Sequence, residues 1–274
     1  DAGAAAIERR PSLSDTARAM GNASRRPPRR SAGLLTAALF LIFVTACTGG
    51  LSKAEHLSYG CREGRRIALT FDDGPNPQYT EQILGILQSH NAVATFFHEG
   101  QAVESNPGIL KRELALGMVV GSHSYAHAQG LPSMSRADFA RDLRQAEDAL
   151  TPALGYRPGL YRAPYGQRSD NMLAELRAAG YTSIGWDLDS TDWSGATADQ
   201  VVRSVLDNAH PGAIILMHDG GLGGGNPDRS TAIAALPGIV DGLHQQGYAL
   251  VTVPDLTGAP AEHGGKRNTA CSAS

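Results

Sequence analysis

The chain has 274 residues, enough for one large α/β domain with a short extension, and a core of that size folds without a metal or disulfide to hold it. Hydrophobic residues make up 42% and the formal net charge is -3, which leaves no basic face of the size nucleic acid requires. Nucleic acid is therefore excluded as a partner, and any bound metal is expected to be catalytic rather than structural.

The N-terminal region differs in composition from the rest. Arg25-Arg26-Pro27-Pro28-Arg29-Arg30 is a basic stretch ahead of Leu34–Ala46, an apolar run too short to cross a bilayer comfortably, so residues 20–47 read as an export signal. The run closes on Val44-Thr45-Ala46-Cys47, which resembles the lipobox at which a lipid is attached to cysteine. The expectation is an exported protein at the cell surface, anchored to the membrane as a lipoprotein through Cys47 or through an uncleaved signal, with secretion as the alternative. Residues 1–47 are thus extension and signal, and residues 48–64 are a polar, glycine-bearing tether. The folded domain is expected over 65–256, with 257–274 as a flexible tail. Cys61 and Cys271 are the candidate disulfide pair of such an exported domain.

Within the domain, unbroken apolar runs alternate with amphipathic stretches. Ile67–Phe71 reads as a strand buried on both faces, as in a parallel sheet covered by helices, and it ends in Asp72-Asp73-Gly74-Pro75. Helix-like spacing over Tyr79–His90 precedes a second strand, Ala94–His98. A helix over Pro107–Leu116 leads to a third strand, Met118–Gly121, followed by His123 and His127, whose spacing predicts one side of a helical turn. Ser135–Leu154 is a long helix with Ser135 as its cap, and Leu160–Arg162 is a short fourth strand. Asp170–Ala179 is helical and stops at Gly180. Tyr181–Trp186 is the fifth strand, with Asp189-Ser190-Thr191-Asp192-Trp193 after it. Then come a helix at Ala198–Ala209, the strand Ala213–His218, a Gly-rich rim at 220–225, a helix at Thr231–Gln246 and a seventh strand, Tyr248–Val253. The pattern predicts an α/β fold, a distorted, incomplete (β/α) barrel of about seven strands, TIM-like.

Reactive side chains follow five of these runs, at the strand ends where such folds build their sites. Two adjacent carboxylates at one buried strand end repel each other, and a metal on one with an arginine on the other would relieve this. Taken singly, each cluster also serves as a turn, a cap or core; their joint occurrence at successive strand ends is what carries the functional reading.

The five motifs, Thr70-Phe71-Asp72-Asp73-Gly74-Pro75, His123-Ser124-Tyr125-Ala126-His127, Arg162-Ala163-Pro164-Tyr165-Gly166, Asp189–Trp193 and Leu216-Met217-His218-Asp219, in this order resemble those of the polysaccharide deacetylases with a NodB homology domain, carbohydrate esterase family four. The resemblance spans roughly Arg65 to Leu256. It implies Asp73, His123 and His127 as metal ligands, Asp72 as the general base, Arg162 as its partner, and His218 as the general acid with Asp192 raising its pKa. It further implies the main-chain NH of Tyr165 as an oxyanion donor, and Trp193 and Leu216 as walls of a pocket for the acetyl methyl. Two imidazoles and a carboxylate suit a divalent metal, zinc foremost, with cobalt, nickel or iron also accommodated. The departures are small: Ala163 stands where proline is common, and Ser122 where asparagine or aspartate is often found.

The expected enzyme is a metal-dependent N-deacetylase of N-acetylglucosamine residues in a polysaccharide, peptidoglycan first and chito-oligosaccharide second. An acetylxylan esterase using the same site and a catalytically silent glycan-binding module are the alternatives. A zinc peptidase is disfavoured because the His-Glu-x-x-His helix is absent. Among the other histidines, His98 alone stands at a strand end.

Overall fold

The computed structural model describes residues 55–221 and 228–267. Among these residues nine strands form one sheet: β1 (His56–Leu57), β2 (Arg66–Gly74), β3 (Thr95–His98), β4 (Val119–Ser122), β5 (Leu160–Tyr161), β6 (Thr182–Ile184), β7 (Leu188–Asp189), β8 (Ile214–His218) and β9 (Ala249–Leu250). The helices are α1 (Tyr79–Ser89), α2 (Gly100–Ser105), α3 (Pro107–Ala115), α4 (Arg136–Leu154), α5 (Asp170–Ala178), α6 (Ala198–Asn208), α7 (Ser230–Gln245) and α8 (Val253–Thr257). Strand order is β1-β6-β5-β4-β3-β2-β8-β7, with β9 beside β2 and every pairing parallel. β6 and β7 lie toward opposite ends of this order, yet only Gly185, Trp186 and Asp187 separate them in the chain. The sheet must therefore curl until its ends approach, which produces the incomplete (β/α) barrel expected from the sequence.

Alternation along each strand sorts the side chains. Ile67, Leu69 and Phe71 of β2, Phe96 of β3, and Ile215 and Met217 of β8 pack outward against α1, α6 and α7. Ala68, Phe97, Leu160, Ile184 and Ile214 form an inner layer with Val253 and Leu256 of α8. That apolar plug closes the base of the barrel, so the polar residues farther along the same inward rows, Thr70 and Asp72 on β2 and His218 on β8, are left for its upper end. Helix starts follow local chemistry: the Ser135 hydroxyl accepts from the Asp138 NH, and Thr197 with Gln200 forms a capping box.

Several expected boundaries move. The strand expected over Tyr181–Trp186 shortens to β6 and a further strand, β7, follows it, because the Asp187 carboxylate between them accepts the Ile214 NH at 3.0 Å and turns the chain. Gly185 at the break has no room for a side chain, since a Cβ there would meet Ser58 Oγ at 2.8 Å. The tether expected over 48–64 contributes β1, and Tyr59 bridges to Ala213, so the domain begins earlier than Arg65. The seventh strand shortens to β9 because the Thr252 hydroxyl caps α8. The tail expected from 257 is partly docked: the Gly159 NH donates to Ala261 O at 2.7 Å and the His263 NH to Arg157 O at 2.8 Å. The signal over 1–47, Cys271 of the candidate disulfide and most of the Gly-rich rim lie outside the described residues. Among the described residues no helix is long and apolar enough to cross a membrane.

Beneath the strand ends lies a buried ionisable group of residues. His98 Nε2 and Glu113 Oε1 are 2.8 Å apart, both fully buried; burial lowers the His98 pKa, but Glu113 overrides this and raises it. Nearby, Asp219 accepts the Thr80 hydroxyl at 2.5 Å, and burial pushes its pKa up to about 7 against the opposing influence of His98. A carboxyl that holds its proton more tightly folded than unfolded loses stability as pH rises from the ordinary carboxylate value toward 7. Asp219→Asn, which keeps the acceptor without the charge, should gain on the wild type as pH is raised from about 4.5 to about 7.5, by at most about 1.4 kcal/mol per pH unit. Urea unfolding across that range checks this; a difference independent of pH would show that Asp219 does not titrate as described.

Candidate active site

The β2–β8 register sets Asp72 opposite His218 and Thr70 opposite Leu216. In a regular strand Asp72 and Asp73 would point to opposite faces. They do not, because the β2–β3 register shifts between Asp72 and Gly74 and Asp73 adopts a left-handed φ of 76°. The irregularity turns both carboxylates into one cleft of about 580 Å³, the size of a typical small-molecule site. His123, His127, Tyr165, Trp193, Leu216 and His218 also line it. Gln129, Trp186 and Arg229 join them without having been singled out in the sequence, as does Asp189, which opens the fourth motif but had no role assigned to it. Trp186 and Asp189 were legible as residues near a strand end, whereas nothing in the pattern marked Arg229.

The two histidines do not lie on a helical turn. After β4 the chain runs as a loop in which Ser124 (φ 67°) and His127 (φ 51°) are both left-handed, and the Ser124 hydroxyl accepts the His127 NH at 3.0 Å. His123 Nδ1 donates to the Arg162 carbonyl at 2.9 Å, which leaves Nε2 without its proton in the neutral ring. That nitrogen nevertheless faces Asp73 Oδ1 at 3.3 Å, and His127 Nε2 lies 3.2 Å from the same oxygen. Acceptors converging in this way call for a cation, and the three donor atoms lie within 4.8 Å of one another. The donor set fits a divalent metal of the zinc type, with the backbone carbonyl as the outer partner that fixes the imidazole. Burial alone would raise the Asp73 pKa, but the close approach of the His123 and His127 imidazoles holds it well below the usual carboxylate range.

Asp72 has a different environment. Arg162, fully buried, donates from one guanidinium nitrogen to Asp72 Oδ1 at 2.7 Å and to Thr70 Oγ1 at 2.7 Å, and from another to Gly185 O at 2.9 Å. Its guanidinium stacks over Phe97 at 4.2 Å and lies 5.7 Å from the Trp186 ring. Burial lowers the Arg162 pKa and Asp72 opposes this. Across the cleft, His218 Nδ1 pairs with Asp192 Oδ1 at 2.8 Å, and the His218 NH donates to Asp192 Oδ2 at 2.9 Å. Burial works against the imidazolium, yet Asp192 outweighs it and the His218 pKa is raised. Tyr165 sits in a left-handed turn (φ 57°), with its ring edge-on to His127 at 4.6 Å. Leu216 is buried, whereas Trp193 is 59% exposed and its indole NH reaches Asp189 at 3.3 Å.

Known proteins resemble this chain in sequence and in fold. The family profile for polysaccharide deacetylase matches residues 59–184. A peptidoglycan-N-acetylglucosamine deacetylase of Bacillus cereus is 36% identical over 214 residues, covering 78% of this chain and 72% of that protein. The chain belongs to the polysaccharide deacetylase family, carbohydrate esterase family four. A chitooligosaccharide deacetylase of Sinorhizobium fredii is 36% identical over 198 residues, covering 69% of this chain and 90% of its own. Among solved structures, a peptidoglycan N-acetylglucosamine deacetylase in complex with a naphthalenyl N-oxidanyl-benzamide superimposes with a TM-score of 0.71 at 33% identity, covering 76% of this deacetylase and 95% of that chain.

The Arg162–Asp72 pair also makes a stability prediction. Arg162→Met leaves a buried carboxylate without its cation and should cost about 3–5 kcal/mol in urea unfolding. Adding Asp72→Asn removes the stranded charge and should recover part of the loss. A double variant no more stable than the single one would mean that packing against Phe97 and Trp186, rather than charge, carries the effect.

Proposed function

We propose that this polysaccharide deacetylase hydrolyses the acetamide of N-acetylglucosamine residues, releasing acetate and leaving a free amine on the glycan. The observation that carries the reading is the placement of two separately partnered proton-transfer groups, Asp72 with Arg162 and His218 with Asp192, in one cleft with the Asp73, His123 and His127 donors. A divalent ion bound by those three, zinc foremost, supplies Lewis acidity toward the carbonyl oxygen and the attacking water. Asp72, oriented by Arg162, takes the proton from the water as its oxygen bonds to the acetyl carbon. His218 gives a proton to the amide nitrogen as the carbon–nitrogen bond breaks, and Asp192 stabilises the imidazolium before transfer. The Tyr165 main-chain NH donates to the oxyanion, and Leu216 with Trp193 bounds the methyl.

Peptidoglycan is the preferred substrate in this reading and chito-oligosaccharide the second, in line with what the relatives are named for. An exported, Cys47-anchored protein would meet peptidoglycan first, and that localisation is part of the proposal. Acetate release from peptidoglycan, chitin oligomers and acetylated xylan, with and without a chelator, ranks the substrates; xylan alone as substrate, or activity indifferent to chelation, would overturn the reading.

Two outcomes separate the residue roles. Asp72→Asn should keep its metal and lose on the order of 10²-fold or more in turnover, whereas His218→Ala should lose more on amides than on activated acetate esters, whose leaving groups depart unprotonated. Equal losses on both substrates would remove His218 from the acid role. Because Asp192 holds the His218 pKa up, its protonated form persists to higher pH, and Asp192→Asn should move the alkaline limb of the pH–rate profile to lower pH. An unmoved limb would assign that limb to another group.

A further inference from the structure

Asp73 holds a left-handed backbone conformation, uncommon for a residue with a Cβ, and its carboxylate is gripped from two sides. Oδ1 faces the imidazoles of His123 and His127, while Oδ2 accepts from Arg229 at 3.1 Å. Arg229 is itself fixed, since its Nε donates to Gly220 O at 2.6 Å and its side chain is only 11% exposed. The main chain beside it is close-packed: a Cβ on Gly220 would lie 2.1 Å from Asp73 O, and one on Gly221 would press on the Arg229 terminal nitrogen at 3.2 Å. One guanidinium thus ties the chain after β8 to the free oxygen of the aspartate at the end of β2.

We infer that Arg229 is a positioning residue for the metal site: by occupying Oδ2 it leaves Oδ1 as the single oxygen that Asp73 presents between the two imidazoles. The inference rests on the reading of Asp73, His123 and His127 as metal ligands. A guanidinium suits the task because its planar fork serves two acceptors, a carbonyl and a carboxylate, at fixed angles, which an ammonium cannot do. Two physical effects oppose each other here. As a cation beside the site, Arg229 weakens the attraction for a divalent ion; as an anchor, it keeps the carboxylate from swinging away. The bonds at both ends of the fork make the anchoring effect the larger one, and loss of an outer-shell partner of this kind typically weakens metal binding by about 10–100-fold.

The test is zinc affinity of the purified full chain, measured by competition with a chromophoric chelator, alongside the thermal midpoint of the metal-free protein. Arg229→Ala should bind zinc about 10–100-fold more weakly than the wild type. Arg229→Lys, which keeps the charge without the fork, should fall between the two. Unchanged or tighter binding in Arg229→Ala would show that the guanidinium acts as a charge and not as an anchor. Should Arg229→Ala fail to fold, the Lys variant decides, and wild-type affinity there overturns the inference. Asp73→Ala is the control: if it holds zinc as tightly as the wild type, the ligand assignment fails and this inference with it. If it loses zinc while Arg229→Ala does not, only the role given to Arg229 fails.

Discussion

A single fully buried guanidinium ties the upper half of this barrel together. Arg162 enters from the end of β5, crosses the interior to Thr70 and Asp72 on β2, and reaches Gly185 O where the chain passes from β6 to β7. A buried cation is costly unless its donors are met and its charge is balanced, so each contact constrains the others. Asp72 must remain on the inward row of β2, Gly185 must keep its carbonyl turned in, and Phe97 and Trp186 must lie close enough to cover the guanidinium. The break between β6 and β7 is thus part of the site as well as a feature of the sheet. It frees the carbonyl that an unbroken strand would have spent in the ladder, and it brings Trp186 into the cleft.

The same economy explains how two neighbouring aspartates acquire different environments. Regular pleating would have sent one of them outward into the layer of Ile67, Leu69 and Phe71, where no ion belongs. The register shift and the left-handed backbone at Asp73 bring it back into the cleft, and the conformational cost is borne by contacts that over-determine it: two imidazoles, Arg229 and the backbone of Gly220. Asp72 is left with Arg162. One carboxylate is thereby directed at the histidines and the other at a permanent cation, so the repulsion expected of adjacent charges is met by two different partners.

Much of this was legible in the sequence because buried parallel strands leave unbroken apolar runs and the polar residues that end them stand out. Ile67–Phe71 and Ala213–His218 gave both the sheet and, at their ends, Asp72 and His218. What escaped was governed by contacts distant in the chain. β1 is two residues long and exists because β6 offers an edge, so no local periodicity announces it. The strand expected over Tyr181–Trp186 looked continuous because Gly185 and Trp186 are both compatible with a strand; the interruption comes from Asp187 pairing with Ile214. The spacing of His123 and His127 fits a helix, yet Ser124 and His127 take left-handed conformations that a helix excludes. Arg229 had no signal at all, since an arginine ahead of a helix is ordinary and only the fold brings it to Asp73.

The distribution of exposure inverts what is usual for a soluble surface, and under the proposed function the inversion has a physical reason. The ionisable residues Asp72, Asp73, His123, Arg162 and Asp192 are buried, while two of the large aromatic residues at the cleft, Tyr165 and Trp193, are 48% and 59% exposed. Buried charges interact strongly because little water screens them, which favours proton transfer between fixed partners. Exposed rings with polar tips offer an apolar face together with a hydrogen-bonding edge, matching the mixed faces of a sugar ring. The indole of Trp193 is held to Asp189 through its NH, so its remaining apolar surface faces solvent already oriented. A glycan approaching such a rim would bury apolar area on the aromatic residues before its acetamide reaches the charged floor, which separates binding energy from the chemistry in space as well as in residue type.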